Sequence, residues 1–150
     1  ISGRSNETKK ILTNPDITWT EIQTFMEKCV DESVKKDRNS DHGSNIGSAY
    51  GLSKACTNAY TIFLARQHPD LKVNACTPGF IETDMTRQMA VSGGNTPAEM
   101  GMKSPEEGTS ASIFLLMGNP EGSGHYYGSD CLRSPIDRYR SPGDPPYTGD

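Results

Sequence analysis

The sequence predicts an α/β protein, in which helices alternate with short buried strands, and three stretches carry that prediction. From about Gly47 to Gln67 the chain is rich in helix formers and keeps apolar residues at helical spacing, among them Ala55, Ala59, Ile62 and Phe63. Leu71-Lys72-Val73-Asn74-Ala75-Cys76 then reads as a buried strand that runs straight into Pro78-Gly79. Ser104-Pro105-Glu106-Glu107 opens another helix as a capping box with proline at the first helical position. Gly118-Asn119-Pro120 ends that helix, and Gly124–Gly128 suggests a short final strand.

Composition narrows the function classes. The 150 residues suffice for one ordinary domain, but a hydrophobic content of 33% and a mean hydropathy of -0.65 are low for a self-sufficient unit of this length. A formal charge of -4 leaves no basic footprint, so nucleic acid is not an expected partner. No apolar run approaches membrane-spanning length, and there is no signal-peptide pattern. Cys29, Cys56, Cys76 and Cys131 are scattered, with no C-x-x-C and no histidine at ligand spacing. Neither a zinc site nor a disulfide framework is expected, and reduced thiols in the cytosol are the default.

Taken in order, Ile1-Ser2-Gly3-Arg4 has no capping or turn signal and reads like the middle of a longer chain. Residues 16–36 form a helical unit. Thr18-Trp19-Thr20-Glu21 fits a capping box, and Trp19, Ile22, Phe25 or Met26, Cys29 and Val30 follow at three- and four-residue intervals. An amphipathic helix packed on the domain is the simpler reading; a lid beside a substrate is the other. Residues 37–45 read as a surface loop that imitates a calcium site through Asp37, Asn39 and Asp41. Glycine falls at the seventh place instead of the sixth, however, and Ser48 stands where the closing glutamate belongs, so no metal is expected. Gly43, Gly47 and Gly51 lack the spacing of a phosphate-binding turn.

Tyr50 and Lys54 are four apart in the long helix, so phenol and ammonium share one face. A free phenol titrates near pH 10, and an ammonium fixed beside a phenol favours the phenolate, which makes such a pair a candidate acid/base couple. Pro78-Gly79 lies at the carboxyl end of a strand, where open α/β sheets bind ligands; glycine admits close backbone approach and proline stiffens the turn. Residues 85–103, with Met85, Met89, Met100 and Met102, have no clear period. Residues 132–150, rich in Pro, Gly, Arg and Asp, read as an irregular tail after a unit spanning 1–131.

Three stretches, SAYGLSKA, VNACTPGFIETDM and KSPEEGTSASIFLL, together resemble the short-chain dehydrogenase/reductase family, and within it the carbonyl reductase-like branch. The resemblance covers Gly47 to Gly128, roughly half of the chain. It implies the C-terminal half of a Rossmann-type doubly wound parallel sheet, with residues 16–36 as a helical insertion before the active-site tyrosine. It implies NADPH as cofactor and a small-molecule carbonyl substrate (ketone, aldehyde or quinone) reduced to an alcohol.

In that scheme Tyr50 is the general acid, and Lys54 assists it and bonds the nicotinamide ribose. Pro78, Gly79 and Ile81 border the nicotinamide, and Thr83 bonds its carboxamide or the pyrophosphate. Phe80 faces substrate. The catalytic serine falls one position before Ile1, which leaves Ser2 lining the substrate site, or replacing that serine if the turn is shifted. The insertion implies a monomer, and the branch implies a cytoplasmic protein. About four βα units of the family pattern have no counterpart here, so these 150 residues alone are expected to bind no cofactor. Two other readings stay open: a cofactor-free scaffold or regulatory protein that keeps the fold, and an alcohol or steroid dehydrogenase working oxidatively.

Overall fold

The computed structural model describes residues 5–37 and 46–149. Ser2 and, of the calcium-like loop, Asn39 and Asp41 lie outside them. The chain divides into two compact units: residues 1–74 with 123–125 and 136–139, and residues 75–122 with 126–135 and 140–150.

The first unit is helical. α1 (Asn6–Leu12) starts at Ser5, whose hydroxyl accepts the Thr8 amide at 3.2 Å. α2 (Trp19–Asp37) begins directly after Thr18, where the capping box placed its start, and residues 16–18 of the expected helical unit form a turn and the cap. The expected capping box is present there: Thr18 Oγ1 accepts the Glu21 amide at 3.2 Å, and Glu21 Oε2 accepts the Thr18 amide at 2.8 Å. The Thr18 hydroxyl and amide hold the Glu21 carboxyl below the usual range.

α3 (Ile46–Gln67) is the longest element. Its small buried residues Ala55, Cys56 and Ala59 let Leu12, Ile17 and Ile22 approach closely, and Phe25, Met26, Leu52, Ile62 and Phe63 pack around that core. Trp19 stands edge-on to Tyr60 at 5.6 Å. Val30, assigned to the apolar stripe by spacing, is 58% exposed. The Arg66 guanidinium caps the link between α1 and α2, bonding the carbonyls of Pro15 and, at 2.5 Å, Ile17.

The second unit holds a three-stranded sheet in the order β1 (Ala75–Cys76), β2 (Tyr126–Tyr127), β3 (Arg133–Ser134). β1 pairs parallel with β2 in the register Ala75↔Tyr126, and β2 pairs antiparallel with β3 through Tyr127↔Arg133. A parallel neighbour requires a crossover. That crossover contains α4 (Asp84–Ser92), α5 (Pro105–Gly108) and α6 (Ser110–Met117). The Ser104/Glu107 box opens α5 as expected, while Thr109 separates α5 from α6 in what the sequence presented as one helix. Phe114 of α6 packs on buried Tyr127 at 5.8 Å between ring centroids. The Tyr127 hydroxyl donates to the Glu121 carbonyl at 3.0 Å, and burial pushes the phenol's pKa up.

Three expectations need correcting. The strand expected over residues 71–76 is reduced to Ala75–Cys76, and Leu71 is exposed. In the first unit the Val73 amide donates to the Ser123 hydroxyl at 2.9 Å and is thereby lost to a strand ladder, while the Val73 carbonyl still accepts the Gly124 amide at 2.7 Å. The stretch from residue 85, expected to be without period, begins as helix α4. Thr83 and Thr86 cap each other's amides at its start. The segment read as a tail begins with β3 and then runs without regular structure, yet Arg140 anchors it. Its guanidinium bonds both Asp130 carboxylate oxygens at 2.5 Å, with side-chain exposures of 6% and 19%.

Candidate active site

Tyr50 and Lys54 belong to the first unit. The sequence spacing becomes a physical pair on α3: Lys54 Nζ stands 5.4 Å from the centroid of the Tyr50 ring, within cation–π range. Both residues are exposed on the helix surface, Tyr50 by 56%. Gly47, Ser48 and Ala49 lie in the opening turns of the same helix. That fixes the backbone on which the phenol is presented.

The other predicted site residues belong to the second unit, directly after β1. Thr77 donates its amide to the Tyr127 carbonyl at 3.1 Å and accepts the Gly79 amide on its hydroxyl at 3.2 Å. Gly79 has φ +91°, in the left-handed region that glycine enters without penalty. Pro78, Gly79 and Phe80 are exposed, whereas Ile81 is only 8% exposed and its side chain packs on Gly108 of α5. Any border that Ile81 offers a ligand is therefore mostly backbone. Lys103 zips onto the following segment, its amide donating to the Phe80 carbonyl at 2.8 Å and its carbonyl accepting the Glu82 amide at 2.9 Å.

Thr83 is the cap of α4, which limits what its hydroxyl can still do. Thr86 Oγ1 donates to the Ile81 carbonyl at 2.5 Å, so the hydrogen between Thr86 Oγ1 and Thr83 Oγ1, 3.0 Å apart, comes from Thr83. The Thr83 hydroxyl also accepts the Thr86 amide at 3.3 Å. One lone pair is left. It suits a donor such as a carboxamide N–H, not a phosphate oxygen.

Ser129 escaped the sequence reading. It is 8% exposed, its Cβ and Oγ lie 3.1 Å from where a Cβ on Gly79 would stand, and its hydroxyl accepts from Lys103 Nζ at 3.4 Å. Nothing local in GHYYGSD marks that serine; its contact with Gly79 joins residues a third of the chain apart. Among the described residues no group of three side chains could hold a metal ion, and no helix is long and apolar enough to cross a membrane.

No family model matches the chain. Against curated proteins it is 39% identical over 86 residues to (+)-neomenthol dehydrogenase of Arabidopsis thaliana, covering 57% of this chain and 24% of that protein. It is 32% identical over 114 residues to carbonyl reductase (NADPH) 1 of Mus musculus, covering 72% and 36%. Salutaridine reductase of Papaver somniferum is 44% identical over 57 residues, covering 38% and 17%. The chain thus spans roughly a sixth to a third of the length of these relatives. Over the matched part, the chain is a relative of the short-chain dehydrogenases/reductases, carbonyl reductases among them.

Proposed function

We propose that this chain is the C-terminal part of an NADPH-dependent carbonyl reductase with a Rossmann-type doubly wound sheet. The observation that carries the reading is the Tyr50–Lys54 pair, an ammonium 5.4 Å from a phenol ring on one exposed helix face. The parallel β1/β2 pair with its helical crossover, and relatives named as reductases, support the fold and the reaction class.

The residues present suit the nicotinamide end of such a cofactor. The exposed Pro78–Gly79 turn bears no Cβ at Gly79, so bare backbone is available to a flat ring, and Thr83 keeps one lone pair for a carboxamide N–H. NADPH, when bound, supplies the hydride that adds to the carbonyl carbon. Tyr50 donates its phenolic proton to the carbonyl oxygen, which becomes the alcohol hydroxyl. Lys54 holds positive charge beside the phenolate left behind, and bonds the ribose hydroxyls. Ser2 and Phe80 line the substrate side. The name of the Arabidopsis relative favours a second reading, alcohol oxidation by the same pair run in reverse, with the Tyr50 phenolate as base.

α2 already covers one face of α3 through Ile22 and Trp19, which supports a monomer; a dimer mass by light scattering would remove that point. A cytoplasmic site goes with this reading. The deciding experiment is NADPH oxidation by the full-length protein with a panel of ketones, aldehydes and quinones. Tyr50→Phe should lower kcat at least about a hundredfold while NADPH still binds. Substantial turnover by that variant sinks the assignment of Tyr50.

A further inference from the structure

The loop after β1 is held from beneath by residues that come from three separate places in the second unit. Lys103 pairs its backbone with Phe80 and Glu82, so residues 80–82 follow wherever Lys103 goes. Its ammonium reaches back to the Ser129 hydroxyl at 3.4 Å. Ser129 in turn abuts Gly79 so closely that a Cβ there would meet both its Cβ and its Oγ at 3.1 Å. Ser129 is itself fixed from the other side by its neighbour, Asp130, whose carboxylate takes the Arg140 guanidinium and the amides of Leu132 and Gly143.

The serine is nearly buried, so it has little room to swing away from the turn. A turn in the left-handed region, bonded within itself only by the Gly79 amide to the Thr77 hydroxyl at 3.2 Å, takes its height from what lies under it. We infer that Ser129 is a positioning residue: with Lys103 it sets the height of the Pro78–Gly79 turn, and through the turn the seat of the nicotinamide ring. The second half of that statement rests on the carbonyl reductase reading; the first does not.

The test uses the full-length protein and the variants Ser129→Ala, Ser129→Thr, Lys103→Met and the double Ser129→Ala/Lys103→Met, with two readouts. The first is the split between the NADPH KM and kcat. The second, which needs no ligand, is hydrogen exchange of the Gly79 amide. Ser129→Ala and Lys103→Met should each raise the NADPH KM about fivefold, the size expected for one lost hydrogen bond, with kcat held within about twofold. Ser129→Thr, which keeps the hydroxyl, should restore the parent KM. The double variant should be no worse than either single one, because both remove the same contact. Gly79 should exchange faster in both singles.

Unchanged KM and unchanged exchange overturn the inference. So does a lower melting temperature with neither readout moved, which would make Ser129 a structural brace only. If the parent protein oxidises no NADPH, the reductase reading falls and the nicotinamide part falls with it. Gly79 exchange then still decides whether Ser129 sets the turn: faster exchange supports it and unchanged exchange refutes it.

Discussion

Gly108→Ala sets two opposing effects against each other, and the structure decides the sign. In α5 the change should help, since alanine is favoured over glycine in helices by up to about 1 kcal/mol. The new methyl, however, would stand 2.9 Å from both Cδ1 and Cγ1 of Ile81 and 3.3 Å from Cγ2. Ordinary carbon contacts lie near 3.5 Å or beyond, so Ile81 must retreat by roughly 0.5 Å. It has little room to do so. Ile81 is buried, and its segment is pinned on both sides by the Phe80 and Glu82 bonds to Lys103.

Overpacking costs about 1–3 kcal/mol, and the pinned Ile81 puts this case in the upper part of that range, about 2–3 kcal/mol, so after the helix gain the net loss should be about 1–2 kcal/mol. In thermal unfolding followed by circular dichroism, that corresponds to a fall in Tm of about 2–8 °C for a folded unit of about 150–250 residues and about 4–16 °C for one of about 60–100. Ile81→Val removes the Cδ1 atom and should by itself cost about 0.5–1.5 kcal/mol. Combined with Gly108→Ala it should be milder than the sum of the two, because the valine vacates part of the contested space. A higher Tm for Gly108→Ala, or strict additivity in the double variant, would refute the packing argument.

Other perturbations test other parts of the fold. Gly79→Ala meets both an unfavourable φ, costing about 1–2 kcal/mol, and the Ser129 contact, so NADPH affinity in the full-length protein should drop about tenfold by fluorescence titration; parent affinity would mean the turn does not border the ring. Burial opposes ionisation of Asp130, but the Arg140 hydrogen bond, the Leu132 and Gly143 amides and the Arg140 charge together hold its pKa below the usual carboxylate value. A depressed folded pKa means stability that is fully present above about pH 4 and is lost as pH falls through the lower folded value. Asp130→Asn should therefore destabilise the protein near neutrality, by about 3 kcal/mol, and the deficit should shrink in acid; an equal deficit at every pH removes the ion pair from the account. Arg66→Met should cost about 1–2 kcal/mol by urea denaturation, through loss of its bonds to the Pro15 and Ile17 carbonyls at a partly exposed site.

What the sequence disclosed depended on how local the deciding interaction was. Two capping boxes were legible because hydroxyl and carboxylate lie three residues apart, and Tyr50 and Lys54 because a helix turn is the whole of their relation. α4 was missed because its box uses Thr86 where the familiar signature has glutamate or glutamine. The strand was overestimated because Ser123, fifty residues on, claims the Val73 amide. Ser129 and Arg140 were invisible for the same reason: their meaning lies in partners at Gly79, Lys103 and Asp130 that no window of sequence brings together.

The seat of Arg140 also makes the C-terminal segment readable by a protease. Trypsin must draw an arginine side chain whole into its pocket along an extended backbone. At 6% exposure, with its guanidinium on Asp130, Arg140 offers neither until residues 130–144 come apart. Scission after Arg140 is then a clock for that opening, its rate following the population of the open form when reclosing outpaces cleavage. The same bond that steadies Ser129 would be timed by the shortening of the chain.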